Sequence, residues 1–142
     1  MYSIDQVHDF WDENSCGEIY AKGDDQAEKY ATETKKRYLL EPYIKDFAEF
    51  ESYKGLNVLE IGIGMGSDHS SIALSNPKSL IGIDLTKRSI EHTKSKFNSL
   101  GLKANVKVDN AENLSFEDNQ FDAVYSWGVF HHSINTKKCF EE

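Results

Sequence analysis

Residues 59–70 read Leu-Glu-Ile-Gly-Ile-Gly-Met-Gly-Ser-Asp-His-Ser, with Gly62, Gly64 and Gly66 at alternate positions directly after an apolar run. The chain has only nine glycines, so three within five residues mark a place where the backbone turns sharply or a ligand comes close. The flanking pattern says in which fold this happens. Residues 56–61 are short and mostly apolar, as expected of a parallel strand covered on both faces. Ser67–Leu74 then reads as a helix and Ser79–Asp84 as a second strand. Thr86 is a good N-cap for a helix that places Ile90, Thr93, Phe97 and Leu100 on one face, and Gly101 stands where a left-handed C-terminal cap belongs. Residues 103–109 read as a third strand and residues 121–127 as a fourth. Strands alternating with helices predict βαβ units and a parallel sheet, hence an α/β fold.

Residues 1–54 have a different character, rich in aromatic and charged side chains and helical in pattern. Ser3-Ile-Asp-Gln6 has the form of a capping box ahead of Val7, Phe10 and Trp11. A second helical stretch follows from about Asp25 to Leu40, and Pro42 opens a third, shorter one. We expect two parts: an N-terminal helical cap over residues 1–54 and a ligand-binding core over residues 55–142. Phe10, Trp11, Tyr20, Tyr30 and Trp127 are expected in the core, or else closing over a bound cation.

Charge and cysteine content remove several classes of function. A formal net charge of −8 argues against a phosphate-backbone partner, so no nucleic acid is expected. No apolar run approaches the roughly 20 residues that span a bilayer, and nothing resembles a signal peptide. Cys16 and Cys139 are far apart and lack CxxC spacing, which suits free thiols in a reducing, cytoplasmic setting. No metal site is expected, because His131 and His132 are adjacent rather than three or four residues apart.

The glycine spacing separates two ligand classes. A dinucleotide loop needs G-x-G-x-x-G, but Ser67 stands at its third position. The order Glu60-x-Gly62-x-Gly64-x-Gly66 is instead the form found in S-adenosylmethionine sites. Further polar groups follow at strand ends, where open α/β sheets bind ligands. Asp84 ends the second strand and can accept both hydroxyls of a ribose, a feature that also suits NAD. Asn110, with a neighbouring backbone N–H, can read an adenine edge. Gly66 is open to two readings, ligand approach or helix packing. Glu60 orders the loop, faces an ammonium, or is a solvated strand-end carboxylate.

Four segments together resemble the class I, seven-β-strand S-adenosylmethionine-dependent methyltransferases, in particular the small-molecule branch that includes ubiquinone- and menaquinone-biosynthesis enzymes. Val58-Leu-Glu-Ile-Gly-Ile-Gly-Met-Gly66 is similar to the family's first motif and Gly82-Ile-Asp-Leu-Thr86 to its acidic second-strand motif. Asn110-Ala-Glu112, with Leu114 and Phe116, is similar to the adenine motif, although Ser115 replaces the usual proline. Phe121-Asp-Ala-Val-Tyr-Ser126 and Phe130-His-His132 match the fourth-strand region. The resemblance implies a Rossmann-like parallel sheet of order 3-2-1-4 with helices on both faces, lacking strands five to seven of the full fold. It implies S-adenosyl-L-methionine as cofactor, held by Glu60, Gly62, Gly64, Gly66, Asp84, Leu85, Asn110, Ala111, Glu112 and Ser126, and a small-molecule methyl acceptor.

His131 and His132 are the candidate general bases for acceptors that must lose a proton, with packing or capping at a helix entry as the other reading. The [Asn/Asp]-Pro-Pro-aromatic element of DNA amino-methylating enzymes is missing after the fourth strand, as are the paired glutamates of protein arginine methyltransferases. Compared with the full family pattern, the chain ends in the helix after the fourth strand. We therefore expect an exposed fourth-strand edge and self-association through it, most simply as a homodimer. Two rival functions remain: a non-catalytic module that works through a partner, and a nicotinamide dehydrogenase.

Overall fold

The computed structural model describes residues 3–142. Four strands, β1 (Asn57–Ile61), β2 (Ser79–Asp84), β3 (Val106–Val108) and β4 (Ala123–Ser126), form one parallel sheet in the order β3-β2-β1-β4. This is the expected order, and it puts β1 in the centre. Glu60 therefore lies beside Gly82 on one side and Tyr125 on the other, and Ile61 lies between Ile83 and Ser126.

Six α-helices accompany the sheet among the described residues: α1 (Ile4–Glu13), α2 (Gln26–Leu40), α3 (Tyr43–Ala48), α4 (Ser67–Leu74), α5 (Lys87–Ser99) and α6 (Thr136–Glu141). The capping box at α1 is formed, with the Gln6 amide donating to Ser3 Oγ at 3.3 Å and the Ser3 amide donating to Gln6 Oε1 at 2.9 Å. Pro42 stands at the N-cap of α3, and Thr86 caps α5 through the Ser89 amide. None of these helices is long and apolar enough to cross a membrane.

Alternation along β1 divides the core. Val58 packs with Ile72 of α4, Tyr125 and Ala48 on one face, and the Glu60 side chain points into that same helical layer. Leu59 and Ile61 join Ile83 on the opposite face. There Phe116, Phe121 and Phe130 cover them, and α6 reaches the layer through the Phe130–Phe140 ring contact. Each fully buried aliphatic side chain contributes about 1.5–3 kcal/mol relative to exposure, so the centre of the sheet is its most stable part.

Four expectations need correction. The third strand covers only Val106–Val108 rather than residues 103–109, because the chain leaves α5 through the Leu102 amide bonded to the Phe97 carbonyl and pairs with β2 only along Gly82–Asp84. The fourth strand is likewise shorter than residues 121–127, as Gly128, at a φ of 71°, turns the chain away beyond it. Leu100 is half exposed, since it lies past the last turn of α5, whereas Ile90, Thr93 and Phe97 are buried as the helical period requires. Phe10 is also exposed, whereas Tyr30 is buried as expected. No residue of α1 is buried, so that helix lies on the core rather than within it.

Candidate functional site

The carboxyl ends of β1, β2 and β3 and the turn after β4 open into a cavity of about 350 Å³. Its floor is the glycine loop. Gly62, Gly64 and Gly66 all have positive φ, but they are glycine for different reasons. A Cβ on Gly62 would lie 2.1 Å from Val129 Cγ2, and one on Gly66 would lie 2.8 Å from Thr93 Oγ1 on α5. These two glycines make room for the protein's own packing. A Cβ on Gly64 would meet nothing within 4 Å, so Gly64 faces open space in the cavity.

The loop's amide hydrogens are largely spoken for. The amides of Gly62 and Ile63 donate to the Ile83 carbonyl, that of Gly66 to the Ile63 carbonyl, and that of Gly64 to Asp84 Oδ2 at 3.1 Å. Asp84 Oδ1 accepts from both the amide and the hydroxyl of Thr86, each at 3.0 Å. Asp84 thus braces the loop from the tip of β2; Oδ1 is saturated by its two Thr86 donors, while Oδ2, with one accepted bond, keeps a lone pair free.

The third strand leads into an Asx turn. Asn110 Oδ1 accepts the Glu112 amide at 2.9 Å, and Ala111 and Leu85 complete this wall. Glu112 Oε1 accepts the amides of Ile134 and Asn135, which ties the wall to the chain after the 3₁₀ turn Phe130–His132. His131 and His132 stack at 3.8 Å between ring centroids, and the His132 ring meets Trp11 of α1 at 4.9 Å. Burial, followed by the neighbouring charge of His131, pushes the His132 pKa down. Ile4, Val7 and Trp11 are spaced three and four residues apart on α1 and form the apolar roof.

Of the twelve residues singled out from the sequence, ten line this cavity: Glu60, Gly62, Gly64, Asp84, Leu85, Asn110, Ala111, Glu112, His131 and His132. Gly66 lies outside the lining, at the N-cap of α4. Ser126 does too, its hydroxyl donating to the Ile61 carbonyl at 3.0 Å.

The buried polar layer beneath the loop is the part sequence reasoning missed. Asp68, in the first turn of α4, accepts a two-pronged contact from Arg37 of α2 (Nε at 3.1 Å, Nη2 at 2.7 Å) and the hydroxyls of Tyr38 and Tyr125. Burial works against the Arg37 charge, but Asp68 outweighs it and its pKa is raised; both tyrosines are pushed up by burial and then by Asp68. Glu33 of α2 pairs with Lys96 of α5 at 3.2 Å, both nearly inaccessible, and Ser67 and Thr34 complete that group. Burial lowers the Lys96 pKa against the pull of Glu33. Glu60, last, shares a hydrogen bond with His69 Nδ1 at 2.9 Å. One sequence signal was available. Ser67-Asp-His-Ser70 is polar, yet it opens a helix that must pack on the sheet, so its partners had to be buried too.

Electrostatics narrows the possible ligand. Seven carboxyl side chains line the cavity; Asp68 and Glu41 share Arg37, Glu33 pairs with Lys96 and Asp109 with Lys107, which leaves Glu60, Asp84 and Glu112 without a lysine or arginine partner. With the Gly62, Ile63, Gly64 and Gly66 amides also bonded, such a site is a poor one for a diphosphate and favours a cation.

The Methyltransferase domain family matches residues 58–142. The chain belongs to this family. Among solved structures, the YcgJ protein of Bacillus subtilis is 24% identical with a TM-score of 0.63, covering 70% of this chain and 43% of that one. An S-adenosylmethionine-dependent methyltransferase from Mesorhizobium loti shares 16% identity at a TM-score of 0.56, over 67% of this chain and 44% of that one. Magnesium protoporphyrin IX methyltransferase from Synechocystis PCC 6803, solved with bound SAH, shares 14% at a TM-score of 0.66, over 97% of this chain and 65% of that one. The chain thus spans less than two thirds of the length of each of these proteins. No curated protein matches the chain. At these identities the solved structures support the fold: a class I methyltransferase-like, Rossmann-like sheet, present here with four strands.

Proposed function

We propose that this domain binds S-adenosylmethionine in the cavity above the glycine loop and serves methyl transfer to a small-molecule acceptor. The observation that carries the reading is the acid-lined cavity over a glycine loop whose free space lies at Gly64. S-adenosylmethionine brings an ammonium, a sulfonium and an adenosine, and supplies an electrophilic methyl group. The residues present fit its cationic and adenosine groups. Glu60 faces the cavity for a cation, Asp84 Oδ2 keeps a lone pair at the tip of β2 for a ribose hydroxyl, and Asn110 with Ala111 borders the place for the adenine. Leu85 gives that wall apolar surface.

For the transfer itself the protein mainly aligns the reactants and excludes water. The roof of Ile4, Val7 and Trp11 and the rim of His131, His132 and Trp127 do both, and they leave an apolar approach for a small acceptor. His131 or His132 takes a proton from an acceptor that must lose one; the lowered pKa of His132 keeps its imidazole neutral and able to accept. Residues 1–54 act as the cap over the core of residues 55–142. Two ionic contacts, Arg37–Asp68 and Glu33–Lys96, hold α2 to that core, whereas α1 rests on it.

Titration of the wild type and Asp84→Ala with S-adenosylhomocysteine tests the assignment. Each charge-assisted hydrogen bond lost costs about 1.5–3 kcal/mol, so affinity falls roughly tenfold or more. Equal affinity of the two proteins refutes the role given to Asp84.

A further inference from the structure

Glu60 and His69 form a pair whose chemistry the cavity does not by itself explain. Glu60 lies on the central strand and is 3% exposed, and His69 is wholly inaccessible. The imidazole is held between Phe97, at 5.1 Å between centroids, and β2, where a Cβ on Gly82 would lie 2.6 Å from His69 Cε1. Nδ1 contacts Glu60 Oε2, and Nε2 has no hydrogen-bond partner at all. Oε1 of Glu60 has no protein partner among the described residues, and Glu60 lines the cavity.

This geometry rules out an imidazolium–carboxylate ion pair, because a positively charged Nε2–H would be buried without an acceptor. Burial accordingly pushes the His69 pKa down to about 3. Two states remain. In one, Glu60 is a carboxylic acid donating to Nδ1, and Nε2 carries the imidazole proton. In the other, Glu60 is a carboxylate accepting from Nδ1–H, and Nε2 is bare; Nε2 is left without a partner in both, so it does not choose between them. The groups around Glu60 select between them. The Asp68 and Asp84 carboxylates oppose a charge on it, and the cations nearby, Arg37 and Lys96, are paired with Asp68 and Glu33. The Tyr53 and Tyr125 hydroxyls are neutral. Burial first, and then Asp68, hold the Glu60 carboxyl well above the usual carboxylate range.

We propose that Glu60 and His69 form a proton-linked receptor for a primary ammonium group: neutral in the free protein, the pair loses one proton to solvent when the ammonium seats on Oε1. The balance is simple. The Glu60 proton passes to Nδ1, the Nε2 proton leaves, and the carboxylate so formed faces the ligand cation. His69 is thus a positioning residue, acting through Glu60. The inference rests on the cofactor reading above, with the ammonium supplied by the amino-acid end of the ligand.

Nitrogen-15 spectroscopy of the free wild-type protein tests the pair without any ligand. At neutral pH we expect His69 as the Nε2–H tautomer and the Glu60 carboxyl carbon titrating well above the ordinary carboxylate range. An Nδ1–H tautomer, or titration of Glu60 in the ordinary carboxylate range, overturns the proposal. Calorimetry with S-adenosylhomocysteine in buffers of different ionisation enthalpy then counts protons. Wild type is expected to release about one proton more than Glu60→Gln, with affinity rising about tenfold per pH unit below the free-state pKa of Glu60. The Glu60→Gln comparison removes any contribution from His131 and His132, and adenosine, which lacks the ammonium, should release none. Binding of S-adenosylhomocysteine with equal proton release in both proteins overturns this inference and leaves the cofactor reading intact. Absence of binding overturns the cofactor reading and with it the ligand step, while the spectra still decide the state of the pair.

Discussion

Replacing Gly62 and Gly64 by alanine, one at a time, separates packing from ligand access within one loop. At Gly62 the φ of 80° costs a non-glycine residue about 1–2 kcal/mol. The new methyl would also lie 2.1 Å from Val129 Cγ2 and 3.1 Å from Val129 Cβ, so turning the valine side chain cannot clear it. Overpacking of this kind adds about 1–3 kcal/mol, for a total of about 2–5 kcal/mol. At Gly64 the φ of 49° carries the same backbone cost, but nothing lies within 4 Å, so the total stays near 1–2 kcal/mol. For a domain of this length each kcal/mol moves the melting midpoint by roughly 3–5 °C. Thermal unfolding should therefore place Gly62→Ala several degrees below Gly64→Ala. Calorimetric titration with S-adenosylhomocysteine should show a further contrast: Gly64→Val keeps a cooperative melt yet fails to bind. Equal destabilisation by the two alanines would refute the division of labour in the loop. Binding by Gly64→Val at wild-type affinity would show that the open space above Gly64 is not ligand space.

Other perturbations probe the layer beneath. Arg37→Ala leaves Asp68 buried and unpaired and should cost about 3–5 kcal/mol in urea unfolding, far more than Lys35→Ala on the exposed side of α2. A histidine whose folded pKa falls from 6.5 to about 3 stabilises the fold fully above pH 6.5, and that contribution is lost as pH falls toward 3. It amounts to about 5 kcal/mol over the window. The raised pKa of Glu60 has the opposite sign, its contribution fading as pH rises, so acid destabilisation should steepen below about pH 4.5 and be weaker in His69→Gln. Strand β4 is a sheet edge with Val124 more than half exposed and no lysine or proline along it. Light scattering of the 142-residue chain should give roughly twice 16.2 kDa at micromolar concentration, and a clean monomer would show the edge is protected.

The frame of the fold was legible because its signals are local. The apolar run of β1, the cap at Thr86 and the capping box at Ser3 depend on near neighbours in sequence, and all three lie where the pattern puts them. Strand ends were less legible, since β3 and β4 stop where their partners stop. The cavity lining was largely readable because glycine spacing and strand-end carboxylates are tied to the sheet topology. The layer of Asp68, Arg37, Glu33, Lys96 and Ser67 was not, because its pairs join residues 29 to 63 positions apart and no spacing rule connects them. Nothing in the basic run Lys35-Lys-Arg37 tells its members apart, yet Lys35 is exposed while Arg37 turns inward to Asp68. Glu60 was noticed for its place in the motif, but its immersion in the helical layer depends on β1 being central.

The most direct test of the central claim is parallel calorimetric titration of the wild-type chain with S-adenosylhomocysteine and with NAD. An acid-lined cavity with the Gly62, Ile63, Gly64 and Gly66 amides already bonded predicts saturable one-to-one binding of S-adenosylhomocysteine and no heat with NAD. Saturable binding of NAD, with none of S-adenosylhomocysteine, would contradict the account.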